Sequence, residues 1–341
     1  MIFFSVTRYR NALPHDNPDY QLTSTALLVN IRTMLRALVR KPRLGVEITA
    51  TAVRVAVVSG FGANLSILFT KTVDVPEGVV SEAYASPNIL DMFRLNAALQ
   101  EGLDSVPSGI RRAGLSLSDS VFRVQTIEFD ELPAKPHDRQ RLIRWRLEKG
   151  AAFDMADTIL RYQVLGRQDK GCTVLSCVAK QAMIAQYESL FIERGLEPWA
   201  VGPSSFSSFN FYSSYLAKKS AVSALTHLSK DSFATIIMEP NGVRFYRYKD
   251  VKRGSAEDIR DRLVREIDDS LHFYAHMDRS QQSEVRDLYL TGESDVSAAL
   301  AEALRAVTSL NVEVLLPVSA ALSGGTIGPE MNAALGAGGS Q

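Results

Sequence analysis

Cysteine is scarce in this sequence, and no disulfide framework can be built from it. The two cysteines, Cys172 and Cys177, stand five apart on one apparent strand, a spacing that puts them on opposite faces, out of reach of each other. Both read as small core residues of a reducing compartment. Histidine is also sparse: His15, His137, His227, His272 and His276 are scattered, and no HExxH or cysteine pair completes a metal site. His272 and His276 share a predicted helix face near Asp268, Asp269 and Asp278, which reads as a surface pair. Neither Ser294 nor Ser204-Ser205 lies in a nucleophile-elbow pattern. No apolar run approaches the roughly 18 residues that would span a bilayer. The short apolar start, Met1 to Val6, is followed by Arg8, Arg10, Pro14 and Asp16, the wrong order for a signal peptide. The net charge is zero, so no global field draws the protein to nucleic acid. These absences predict a cytoplasmic protein, or one that a partner holds at a membrane.

What is present is a chain of 341 residues with ordinary globular composition, too long for one core and therefore expected to form two lobes. Residues 1–43 read as a basic extension with seven basic and two acidic residues. Within it Leu27, Ile31, Leu35 and Leu38 recur at helical spacing beside the row Arg32, Arg36 and Arg40, a pattern suited to an anionic membrane surface. Leu44–Val58 reads as two strands with a tight turn and Asn64–Val75 as a third. The row Ile89, Met92/Phe93, Ala97 and Leu99 or Leu103 predicts a helix. Residues 113–202 alternate strands and helices, including a helix over Asp138–Gly150. Residues 203–229 read as a return helix. A second unit, residues 230–320, repeats the strand-hairpin-helix order. Its hairpin is expected around Pro240-Asn241-Gly242, and Ile259, Leu263, Ile267, Leu271 and Tyr274 form the cleanest helical period of the chain. Residues 321–341, rich in Ala, Gly and Ser, read as a weak helix and loose tail.

The middle of the chain carries RLIRWRLEKGAAFDMADTILRYQVLG. Ile143, Arg144, Trp145, Glu148, Lys149, Phe153, Tyr162, Gln163, Val164, Leu165 and Gly166 match, in order, the "IRWEAEKYIPF" and "DYQVLG" passages of the type IV pilus assembly protein PilM family, which is related to the division protein FtsA. Leu44–Arg54 resembles that family's "LGIDIGSSSVK", Asp269–Tyr274 its "SLDFYE", Leu288–Gly292 its "LSGGGA", and Ala333–Gly336 its terminal "ALGLAL". The resemblance implies an actin-like ATPase fold: an α/β protein of two duplicated ribonuclease-H-like lobes, the first over residues 44–112 and the second over 230–320, with an inserted α+β subdomain at 113–202.

It also implies a nucleotide cleft, with Mg²⁺, in which small residues at strand turns admit the phosphates. Those turns depart from the family's pattern. Glu47 stands for Asp, Thr49 for Gly, Ala50 and Thr51 in a serine-rich turn, and Arg54 for Lys. In the second hairpin Ile237-Met238-Glu239-Pro240 stands where Asp-Ile-Gly is expected, and Gly292 is followed by Glu293. A β-branched Thr and a Pro without N–H suit phosphates poorly. The expectation is therefore a scaffold with ATP use weakened or lost and no cofactor required, ATP and Mg²⁺ being left open. An ATPase with a working site, and a component like GspL or MshI, are the alternatives. The resemblance further implies a partner, the N-terminal tail of a PilN-like bitopic inner-membrane protein. The tail would be gripped in a groove of Phe122–Phe129, Ile143–Phe153 and Tyr162–Leu165, with Phe122, Trp145, Phe153 and Tyr162 as anchors. A pilus motor ATPase as a further partner, and a place at the inner face of the inner membrane, complete the reading.

Overall fold

The computed structural model describes residues 41–60, 65–150, 155–168, 171–219, 222–239, 242–251, 256–277, 284–317 and 327–339. Most of the basic extension, Phe153 and the pair Pro240-Asn241 lie outside the described residues. The first lobe is built on a five-stranded sheet. Strands β1 (Arg43–Ile48), β2 (Ala52–Ser59) and β3 (Ser66–Asp74) form an antiparallel meander, and β4 (Arg112–Leu117) continues the sheet parallel to β1. After the insert, β8 (Glu197–Pro203) pairs parallel to β4, giving the order β3-β2-β1-β4-β8. The second lobe repeats that plan. Strands β9 (Ser223–Ser229), β10 (Ser232–Glu239) and β11 (Gly242–Asp250) meander, and β12 (Asp287–Gly292) and β13 (Asn311–Val314) add in parallel, in the order β11-β10-β9-β12-β13.

The duplication begins earlier than the sequence suggested. Residues 223–229, read as part of the return helix, are the central strand of the second lobe. Strand β9 is buried along nearly its whole length, so it shows no alternation of polar and apolar residues to mark it as a strand.

The insert carries a three-stranded antiparallel sheet, β5 (Phe122–Phe129), β7 (Gly171–Lys180) and β6 (Thr158–Gln168), with β7 in the middle. One face packs on helix α2 (Pro136–Gly150) through Ile143, Leu147, Leu160, Val174 and Val178. The other joins the main core through Phe122, Leu175 and Cys177. Helix α3 (Gln181–Ile192) leads from β7 back towards the first lobe.

Helix α1 (Met92–Leu103) packs beside β2 and β3. It starts where Asp91 caps it by accepting the Arg94 N–H at 3.0 Å. It buries Leu95, Ala98, Leu99 and Gly102, a face rotated from the expected row. Met92 and Phe93 are left exposed, Phe93 at 83%. Helix α4 (Ser204–Leu216) fills only the first half of the expected return-helix stretch and is buried over Ser204–Phe209. Helix α5 (Ala256–Met277) buries Leu263, Ile267, Leu271 and Tyr274 in the core of the second lobe, which α6 (Ser294–Val307) completes. Each such side chain contributes roughly 1.5–3 kcal/mol.

The C-terminal segment carries the expected helix, and that helix is buried rather than weakly held. Helix α7 (Asn332–Gly339) returns to the first lobe and is buried from Asn332 to Gly338. It lies across β1 and β4 so closely that a Cβ on Gly45 would stand 2.0 Å from the Ala334 carbonyl oxygen, and one on Gly114 2.0 Å from that of Ala337. Glycine at these strand positions serves close approach of backbones. Both faces of the first sheet are therefore covered, which explains why β2 is apolar on both sides of its alternation.

Candidate functional site

The two lobes face each other across a cleft bounded by the β1–β2 turn, the β9–β10 turn and Glu293 at the end of β12. The cavity there measures about 230 Å³, below the roughly 300–1,000 Å³ of ordinary ligand pockets. Its charged lining is mostly acidic: Glu82, Asp231, Asp250 and Glu293 against Lys230.

Glu47, Thr49, Ala50, Thr51, Arg54, Gly292 and Glu293 are brought together at this cleft and the strands behind it, whereas Glu239 is not. Glu239 ends β10 at its far end, where Arg244 pairs with it at 3.1 Å and the Tyr274 hydroxyl donates to it at 2.7 Å. The turn of the second lobe that reaches the cleft is instead Ser229–Ser232, around Lys230-Asp231. In the first lobe Ile48 pairs with Leu117, the last residue of β4; in the second Leu228 pairs with Gly292, the last of β12. His227 thus holds in the second lobe the place that Glu47 holds in the first. A Lys-Asp pair between two apolar runs was the signal that could have revealed this turn.

The N–H groups of the β1–β2 turn are all engaged. The Thr49 N–H donates to the Ala52 carbonyl at 2.9 Å. The Ala50 N–H donates to Glu82 Oε1 at 2.7 Å. The Thr51 and Ala52 N–H groups donate to Thr49 Oγ1 at 3.3 and 3.0 Å. The Thr49 side chain therefore acts as a local cap, as Ser and Thr do in such turns.

Behind the turn, Arg54 bridges the lobes. Its guanidinium pairs with Glu47 at 3.1 Å and with Glu293 at 3.1 Å. Burial alone would lower its pKa, but the two carboxylates more than offset that and hold it above its ordinary value. Glu47 is pushed up by burial, against the pull of Arg54 and of Ser204, whose hydroxyl donates at 2.8 Å. His227, buried and within the field of Arg54, is lowered to about 3, burial being the larger cause; its Nδ1 lies 3.2 Å from Ser208 Oγ.

A second polar cluster crosses the lobes at Asp119. Helix α4 begins after Pro203, which gives it no side-chain cap, and Asp119 from the chain after β4 supplies one instead. It accepts the Ser205 N–H at 3.0 Å, the Ser205 hydroxyl, and the Tyr246 hydroxyl at 2.8 Å. A carboxylate at a helix N-terminus satisfies otherwise orphaned donors. Asn332 of α7 makes a separate link to the second lobe, donating to Thr291 Oγ1 at 2.7 Å and to the Leu315 carbonyl at 2.9 Å.

Of the expected anchors of the insert, Phe122, Tyr162 and Trp145 lie in three different places, and Phe153 lies outside the described residues. Phe122, 2% exposed, is part of the main core and has no free surface to offer a peptide. Tyr162 is partly buried on the opposite face of the sheet, beside the α2 core. Trp145 lies on the outer side of α2, away from Ile143 and Leu147, and is 48% exposed. Lys149 sits 4.2 Å from the centre of its ring. Arg144 anchors α2 to the sheet, donating to the Met155 and Thr158 carbonyls at 3.2 Å each. Cys172 and Cys177 are buried and not joined in a disulfide. His272 is on the surface beside Asp268, and no metal-binding group occurs among the described residues. No described helix is long and apolar enough to cross a membrane.

Two sheets of identical strand order facing a cleft, with an α+β insert in the first lobe, define an actin-like fold. Its likeness among solved structures includes PilM: the PilM–PilN type IV pilus biogenesis complex aligns over 88% of this chain and 98% of that one, at a TM-score of 0.70 and 19% identity. A Bacteroides thetaiotaomicron protein of unknown function with an actin-like ATPase fold aligns over 82% and 92% at 0.48 and 12% identity. The cytoplasmic domain of EpsL, an inner-membrane component of the Vibrio cholerae type II secretion system, aligns over 87% and 94% at 0.47 and 12% identity. No family model and no curated protein matches the sequence.

Proposed function

We propose that this protein is a scaffold of a type IV pilus-like assembly machine. It binds the N-terminal tail of a PilN-like bitopic inner-membrane protein on its inserted subdomain, at the inner face of that membrane, with ATP use weakened or lost. The observation that carries the reading is the backbone likeness to PilM of the PilM–PilN complex, which spans both lobes and nearly all of that chain. Trp145 supports it: a large aromatic on the outer side of a surface helix, stacked by a lysine and flanked by exposed Arg141 and Arg146, suits a partner's hot spot. The reduced role of ATP rests on the engaged N–H groups of the β1–β2 turn and on the acidic cleft. A motor ATPase and the membrane surface are further partners in this reading.

The test is capture of the protein by an immobilised peptide of the first ~20 residues of the single-span membrane protein encoded beside it. Wild type should be retained. Trp145→Asp, folded by circular dichroism, should be retained at least tenfold less, a loss of about 1.4 kcal/mol. Equal retention would remove Trp145 from the interface, and no retention of wild type would remove the partner reading. Titration with Mg-ATP tests the rest: binding tighter than about 10 μM, with steady phosphate release, would establish an ATPase instead.

A further inference from the structure

The segment between β3 and α1 is a built strap. Val80 and Ile89 form an antiparallel bridge, and the Leu90 N–H donates to the Val79 carbonyl at 2.9 Å. Inside this loop the fully buried Asn88 accepts the Ser81 N–H at its carbonyl at 2.7 Å and the Ala83 N–H at Oδ1 at 3.0 Å. Helix α3 then pins the loop from below, because Gln186 Oε1 accepts the Asn88 N–H at 3.1 Å. The residue held between Ser81 and Ala83 is Glu82. All this framework places its carboxylate on the β1–β2 turn, 2.7 Å from the Ala50 nitrogen.

A carboxylate against the N–H of a tight turn is the interaction an oxyanion ligand would make there. The remaining N–H groups of the turn are held by the Thr49 hydroxyl and the Ala52 carbonyl. We propose that Glu82 is the resident anion of this turn: an autoinhibitory contact in which the chain fills its own oxyanion site, so that a phosphate group enters only when the strap withdraws. The inference deepens the reading of a cleft with weakened ATP use and rests on it. It assigns the weakening to a displaceable side chain as well as to lost glycines. Glu82 also faces like charge: Glu293 and Asp231 act on it across the cleft and, with burial as the larger cause, push its carboxyl up. Ser118 and the Ala50 N–H oppose that shift. An incoming phosphate therefore competes with Glu82 for the same donor.

The probes are inorganic phosphate and Mg-ATP, titrated calorimetrically into the full chain. Wild type should show no saturable phosphate binding up to about 10 mM. Glu82→Ala should bind phosphate at least tenfold more tightly. Its Ala50 amide should lose protection from hydrogen exchange and regain it when phosphate is added. Asn88→Ala, which loosens the strap without touching Glu82, keeps the test open should Glu82→Ala misfold, and should shift affinity in the same direction by a smaller factor. Phosphate binding equal in wild type and variants, or absent from all of them, would overturn the proposal. The partner reading is scored separately: Glu82→Ala should be captured by the membrane-protein peptide as wild type is, whatever the phosphate titration gives.

Discussion

His227 shows what a single buried side chain does to the acid stability of this protein. Its imidazole sits in the central strand of the second lobe, 3% exposed, against Ser208. Burial first, and Arg54 second, lower its pKa from 6.5 to about 3. Between those values the unfolded chain takes up a proton that the folded chain refuses, so folding stability falls as the pH falls through this window. At pH 4 the loss attributable to His227 is about 3 kcal/mol. Glu47, Glu82 and Asp119 are shifted upwards by burial, so their contributions run the other way, but they are common to wild type and variant. Urea unfolding of wild type and His227→Gln at pH 7 and pH 4 should therefore show a smaller acid loss in the variant, by about that amount. Parallel losses in the two proteins would show that His227 does not set the acid limit.

At the scale of elements, α7 is more deeply buried than expected and the easiest to break. It reaches the sheet only because β1 and β4 present Gly45 and Gly114 to its carbonyls. A methyl on Gly114 would stand 2.0 Å from the Ala337 oxygen, which forces the helix away from the sheet. Gly114→Ala should cost about 3 kcal/mol, the upper end of ordinary overpacking, read as a shift of the urea midpoint with an unchanged slope. A change under about 0.5 kcal/mol would mean that α7 tolerates displacement. The same helix shows why legibility varies along the chain. Helix α5 was plain in the sequence because Leu263, Ile267, Leu271 and Tyr274 stand out against polar neighbours. Helix α7 was legible only as a weak helix, because Ala and Gly bury on every side and leave no period. Strand β9 hid for a related reason: buried residues on both faces erase alternation. With β9 missed, the second-lobe turn was sought at Glu239 instead of Lys230-Asp231. In the first lobe the hairpin of residues 44–58 was legible, and with it Glu47, Thr49 and Arg54. The partners of those residues were not, because Glu82, Ser204 and Glu293 approach from 32 to 239 residues away, and spacing carries no record of such contacts.

For the whole molecule, the question is what makes two lobes unfold as one body. Among the described residues, the polar links that cross between them include Arg54 to Glu293, Tyr246 to Asp119, Asn332 to Thr291, and Ser208 to His227. The first is the only ionic one of these and is backed by a buried pair within the first lobe, with Glu47 2% and Arg54 7% exposed at the side chain. Removing one member of a buried pair strands the other, at roughly 3–5 kcal/mol, whereas replacing both with apolar residues is often close to neutral. Glu293, at 25% side-chain exposure, is more solvated, so cutting that arm alone should cost only about 1 kcal/mol. Arg54→Leu should therefore be strongly destabilised and Glu293→Gln mildly. Glu47→Leu combined with Arg54→Leu should recover most of what Arg54→Leu loses. Unfolding followed separately by Trp199 fluorescence, in the first lobe, and by hydrogen exchange of β12, in the second, should coincide in wild type and separate in Arg54→Leu. If Arg54→Leu keeps coincident transitions and loses less than about 1 kcal/mol, the lobes are joined by α4, α7 and the apolar core rather than by the charged bridge at the cleft.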